Sequence, residues 1–207
     1  PNSIFSDYIS HILPELGEEN IKEMSFDLFA YRQLKDTVFD CEDRYDQIER
    51  SLTLPEVPSL YQEKQSREFL NKMEGFLTEL EDSLMNFHDV EYKNFVKKEE
   101  EIIELFYFKF LDIPLLSRME AVAENFIDEV ETLRDSDMDE EERALVMEKF
   151  MSMYETQDLY VIYSKFLKSC GYPELPHVQL SDRKLQYEDV YPVLYLKYRL
   201  FRQSSHN

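Results

Sequence analysis

Apolar residues between Gln62 and Met85 fall at Phe69, Leu70, Met73, Phe76, Leu77, Leu80 and Leu84, with charged residues between them. Spacings of three and four mark one face of an α-helix. The stripe recurs over Leu115 to Leu133 as Leu115, Leu116, Met119, Val122, Ala123, Phe126, Ile127, Val130 and Leu133, behind Pro114. A proline suits a helix start, where its missing N–H has no intrahelical partner to lose. Ile102 to Leu111 is apolar on more than one side and is read as a central helix. Helices over Glu140 to Tyr154 and Asp158 to Ser169 follow, the second stopped by Gly171 and Pro173. Short gaps between these segments predict antiparallel neighbours, hence a mainly α bundle or helical arm. "DVEYKNFV" alternates weakly about Lys93-Asn94 and predicts one small β-hairpin.

Two seams interrupt the pattern. In "TLPEVPSLY", Pro55 and Pro58 exclude a continuous helix, and "GYPELPHVQLSDRKL" separates the body from a last helix, "YEDVYPVLYLKYRLF". There Asp189 is read as the cap, with Pro192 in the first turn and Val190, Val193, Leu194 and Phe201 on the buried side. Tyr187, Tyr191, Tyr195 and Tyr198 suit half-buried packing, with stacking on bases as the other reading.

Charge narrows the function. The chain has 207 residues, 44 acidic against 23 basic, for a net charge of −21. Such a surface repels phosphate, which argues against generic nucleic-acid binding by the whole chain and fits either a basic partner or simply a well-solvated helical protein. Three glycines leave no room for a glycine-rich phosphate cradle. Cys41 and Cys170 lack metal or redox spacing and read as reduced thiols of a cytoplasmic protein. No apolar run reaches membrane-span length.

Apparent chemical motifs dissolve on inspection. "DSDMDEEERALV" resembles a calcium loop at Asp135, Asp137 and Asp139, but has Glu140 where glycine is needed and Val146 where the bidentate glutamate belongs. It reads instead as a helix start, Asp139 capping and Glu142 closing a capping box. Glu99 to Glu101 are a solvated face, and His11, His88, His177 and His206 have no ligand spacing. No serine or cysteine has a recognisable base beside it.

The two ends carry a resemblance that the middle does not. "PNSIFSDYISHILPELGEENIKEMSFDLFA" resembles the stretch after the phosphate-binding motif in the HelD branch of UvrD-like superfamily 1 helicases, at Pro1, Asn2, Phe5, Tyr8, Ile9, Leu13, Pro14, Leu16, Gly17, Glu18, Ser25 and Phe26. "LQYEDVYPVLYLKYRLF" is similar to the helix before that branch's magnesium-binding Asp-Glu strand. The resemblance covers about a quarter of the chain. It implies an internal fragment, opening at Pro1 without methionine, with remnants of a RecA-like domain over 1–58 and 172–207 flanking a helical insertion over 59–171. It further implies that Pro1, Asn2, Phe5, Ser25 and Phe26 lie near a single-strand nucleic-acid path, although Phe5 and Phe26 suit a core equally. ATP and magnesium would be held by the parent protein, since the chain has no G-x-x-x-x-G-K-[ST].

In HelD-type proteins such an insertion grips RNA polymerase, which makes the polymerase the expected partner, with single-stranded DNA reached through the parent. Charge complementarity to a basic channel agrees with this. The alternative is a free-standing acidic helical interaction module without enzymatic activity. Excision would also expose Ile4, Ile9, Ile12 and Leu16, leaving the two terminal pieces either to pack on each other or to drive artefactual dimers.

Overall fold

The computed structural model describes residues 26–53 and 57–203. Among them the fold is mainly α, with two sheets of two strands each. Contacts divide the chain into two compact units at positions other than the proline seams. The first unites residues up to Glu79 with Asp158–Tyr198, and the second comprises Leu80–Gln157 with Arg199–Arg202.

The first unit is assembled from distant stretches. Helix α1 (Phe26–Leu34) leads to β1 (Asp40–Cys41), α2 (Arg44–Thr53), α3 (Val57–Lys64) and the start of α4 (Arg67–Ser83); α8 (Leu159–Ser169), β4 (Lys184–Leu185) and α9 (Tyr187–Leu200) complete it. Strands β1 and β4 pair in parallel, Asp40 with Lys184 and Cys41 with Leu185. Phe29, Leu34, Phe69, Met73, Tyr163, Phe166, Leu185, Val193 and Leu196 are buried between these elements. The helical stretch expected over Gln62 to Met85 is broken at Ser66, whose Oγ accepts from Phe69 N at 3.1 Å and so caps α4. Helix α8 ends as its glycine predicts. Gly171 takes φ +79°, Tyr172 N donates to Leu167 O at 2.9 Å and Gly171 N to Lys168 O at 3.0 Å, a complete Schellman motif.

Helix α9 differs from its sequence reading. It begins at Tyr187, so Asp189 lies within the first turn rather than capping it, and Pro192 lies deeper in the helix. The cap comes from elsewhere: Glu42 Oε1 accepts from Tyr187 N at 3.0 Å. No local pattern reveals a cap supplied from 145 residues away. Glu188 and Asp189 instead carry buried charge. Glu188 pairs with Arg50 at 2.7 Å, Arg50 also pairs with Glu42 at 3.0 Å, and Lys64 pairs with Asp189 at 3.0 Å. Val190, Val193 and Leu194 are buried as expected, joined by Leu196 and Leu200, whereas Phe201 is only half-buried.

In the second unit the end of α4 is followed by a hairpin of β2 (Val90–Tyr92) and β3 (Phe95–Lys97), then α5 (Glu99–Glu104), a π-helical turn (Leu105–Lys109), α6 (Leu115–Arg134) and α7 (Glu140–Met151). The hairpin register is Val90 with Lys97, Glu91 with Val96 and Tyr92 with Phe95, and Lys93 turns it at φ +53°. The α6 stripe is buried from Leu115 through Val130 and packs on α7, through contacts such as Phe126 with Phe150; Leu133 is exposed. Tyr154 bridges the first turn of α6, donating to Leu115 O at 2.5 Å and accepting from Met119 N at 2.9 Å. Asp139 caps α7 through Glu142 N at 2.8 Å. The capping box is not closed, because the Glu142 carboxylate turns to Arg134 at 2.5 Å, a stronger charged partner.

Candidate functional site

The stretch expected to be a central helix forms the most distinctive surface of the second unit. Three glutamates open α5, where their charge complements the helix N-terminus, and Glu101 Oε2 accepts from Lys98 N at 3.3 Å. At Leu105 the helix widens into a π turn closed by Phe110 N donating to Leu105 O at 2.8 Å. A π turn holds more residues than an α turn and so rotates the faces that follow. Ile102 and Phe106 are fully buried, while Phe108 is 76% exposed and Leu111 48%. The segment is therefore half surface, which corrects the central placement.

Arg118 fixes this turn from below. Its side chain is buried, its Nε donates to Ile113 O at 3.0 Å, its Nη2 to Leu111 O at 3.1 Å, and its guanidinium lies 4.8 Å from the Phe106 ring centre. The same Nη2 reaches Glu81 at 3.4 Å. Tyr107 donates to Glu81 O at 2.9 Å, and Phe87 packs edge-on against both Phe106 and Tyr107. Contacts to Phe106 and Tyr107 thus anchor the inner side of the turn while Phe108 projects outward.

Beside Phe108 lies a cavity of about 450 Å³ lined by Lys97, Glu101, Glu104, Leu105, Phe108, Lys109, Asn125 and Glu129. Glu101, Glu104, Leu105 and Phe108 share one helical face, opposite Asn125 and Glu129 of α6. Lys97 is committed, paired to Glu129 at 2.7 Å and bonded to Asn125 at 3.2 Å. Around it, Leu80 to Gln157 carries 22 acidic against eight basic residues. An aromatic anchor amid carboxylates is suited to a partner offering an apolar pocket with a basic rim.

Of the nucleic-acid residues implied by resemblance, Pro1, Asn2, Phe5 and Ser25 lie outside the described residues. Phe26 opens α1 with its ring stacked on Tyr191, centres 4.4 Å apart and planes at 9°. Tyr191 meets Tyr187 edge-on, and Tyr187 stacks on Tyr61. These rings form a half-buried ladder in which each ring packs on its neighbour, face to face or edge to face. Its surroundings are acidic: burial first, then the charges of Asp43 and Asp46, push the Asp27 carboxyl upward. Tyr195 is buried and donates to Glu74. The packing reading of the tyrosines therefore accounts for their geometry.

The sequence lacks a phosphate-binding loop, and among the described residues no group of three or more His, Cys, Asp and Glu could hold a metal ion. Among them also, no helix is long and apolar enough to cross a membrane. No family model, curated protein or solved structure matches the chain. The π turn itself was beyond sequence reasoning; the signal available was a run of apolar residues too wide for one helical face.

Proposed function

We propose that this chain is a binding module whose acidic helical unit docks on a basic protein surface, serving a HelD-type translocase as its grip on RNA polymerase. The observation that carries the docking reading is Phe108, 76% exposed on a π turn held by buried Arg118, beside Glu101, Glu104 and Glu129. Large exposed aromatics set in charge-complementary surroundings are where interface energy concentrates. The choice of polymerase rests on the resemblance of the two chain ends to the HelD branch. In that setting nucleotide turnover belongs to the parent protein, and this chain contributes recognition.

The deciding experiment compares retention of core RNA polymerase on the immobilised chain with a fluorescence titration of a labelled single-stranded oligonucleotide at moderate salt. Polymerase retention with weak oligonucleotide binding is the expected result. Tight DNA binding without retention would overturn the reading. Retention of basic proteins generally, with no preference for polymerase, would favour the free-standing acidic module.

A further inference from the structure

The first unit contains a groove of opposite character. Val161, Ser164, Lys165 and Lys168 occupy one face of α8 at spacings of three and four, and the stretch from Glu174 to Gln179 runs across that face. Between them is a cavity of about 490 Å³, which is within the range of small-molecule sites. Its apolar lining comes from Tyr160, Val161, Leu175 and Val178; its polar lining includes Lys165, Lys168, His177, Arg183 and Glu174.

The groove is pre-shaped rather than loosely covered. Leu175 N donates to Ser164 Oγ at 3.0 Å, Tyr160 Oη donates to Pro176 O at 2.8 Å, and Arg183 Nε donates to Val178 O at 3.3 Å. Pro173, just before this attached stretch, and Pro176, within it, restrict its backbone. Arg183 is a wall element: it pairs with Asp158 at 2.7 Å, donates to Thr37 O at 3.0 Å and lies 4.3 Å from the Tyr160 ring centre. Lys168, exposed on the last turn of α8, is the cation best placed to meet a ligand at the mouth.

Local charge sets the class of ligand. Among the lining residues Lys165, Lys168 and Arg183 stand against Glu174, and although Arg183 is paired with Asp158 the mouth remains basic in a chain that carries 44 acidic and 23 basic residues. A bare inorganic anion would leave the apolar lining uncovered, and a neutral apolar molecule would forgo the lysines. We propose that this groove binds a small organic anion, an apolar body of aryl or short alkyl type carrying a single acidic head group, with the head at Lys168 and the body against Val161, Leu175 and Val178. The site is independent of the acidic docking face.

The probe for testing this is 8-anilinonaphthalene-1-sulfonate, with neutral N-phenyl-1-naphthylamine as its uncharged counterpart, titrated into the full chain by fluorescence and by backbone amide NMR. Saturable one-site binding is expected, with shifts centred on Val161, Lys168 and Val178. Lys168→Glu should weaken the sulfonate by about fivefold or more while changing the neutral probe by less than about twofold. Val178→Asp, at a position 38% exposed, should weaken both probes with the urea midpoint unchanged. Absence of sulfonate binding, shifts confined to other surfaces, or equal effects of Lys168→Glu on both probes would each overturn the proposal. Decanoate and decyl phosphate as competitors then distinguish carboxylate from phosphate head groups.

Discussion

Tyr163 donates its hydroxyl to Asp189 Oδ1 at 2.5 Å, and Lys64 reaches that same oxygen at 3.0 Å. Asp189 Oδ2 is buried without a hydrogen-bond partner. One carboxylate thereby ties α3, α8 and α9 together, with all three side chains buried. Removing one partner of such a pair leaves a charge stranded away from water, whereas removing both does not. Lys64→Met is expected to destabilise the chain by about 3–5 kcal/mol, and Lys64→Met with Asp189→Leu to recover most of that loss. Urea unfolding of the two variants checks the difference.

Cys41 gives an alkaline signature. Burial, and then the charges of Asp40 and Asp27, push its thiol up to about 12. Because the folded value exceeds the unfolded one, the folded chain holds this proton more tightly. The stability it contributes is full below the ordinary thiol value of about 8.5 and is lost as pH rises from there toward about 12. Iodoacetamide at pH 8 should accordingly leave Cys41 largely unmodified in folded Cys170→Ala and alkylate it rapidly in urea.

Arg118 lies over Phe106 of the π turn and holds the stretch just after it through the carbonyls of Leu111 and Ile113. Arg118→Met keeps much of the packing but removes both donors. A loss of about 3 kcal/mol is expected, since unsatisfied carbonyls account for roughly 1–3 kcal/mol each. Amide exchange at Phe110, which closes the turn, should accelerate more than exchange at Val122 in α6.

Phe108→Ala separates docking from folding. An exposed side chain of this kind should change stability by no more than about 0.5 kcal/mol. Polymerase retention should fall by about tenfold or more if the ring is the interface anchor. Unchanged retention with an unchanged fold would remove Phe108 from the interface.

Asp135 ends α6 in the left-handed region at φ +55°, a position that favours Gly or Asn, and it sets a negative charge at the helix C-terminus. Asp135→Asn retains the tolerated conformation and removes the unfavourable charge. Thermal denaturation should show a stabilisation of about 0.5 kcal/mol.

What could be read in advance was whatever depends on near neighbours in the chain. The α6 stripe, the Lys93-Asn94 hairpin, the Asp139 cap and the Gly171 stop all follow from spacings of a few residues, and all appear in the fold. The misplaced features depend on remote partners or on a changed helical period. Glu42 capping α9, the two-residue β1–β4 ladder and Glu142 turning to Arg134 leave no local trace. The exposed side of Ile102 to Leu111 was hidden because helical periodicity assumes 3.6 residues per turn, which the π turn breaks. The candidate docking face was legible in charge but not in shape.

The β1–β4 ladder also gives the protein an order of assembly. Asp40 and Cys41 wait for Lys184 and Leu185, so the first unit can close only after residue 185 has been synthesised. The second unit, built mostly from one continuous stretch, has its partners at hand much earlier. Loop-closure entropy grows only logarithmically, by about 0.6 kcal/mol for each doubling of length. Lengthening or shortening the intervening stretch therefore burdens the ladder little, and evolution is free to remodel the acidic unit while the closing pair stays where it is.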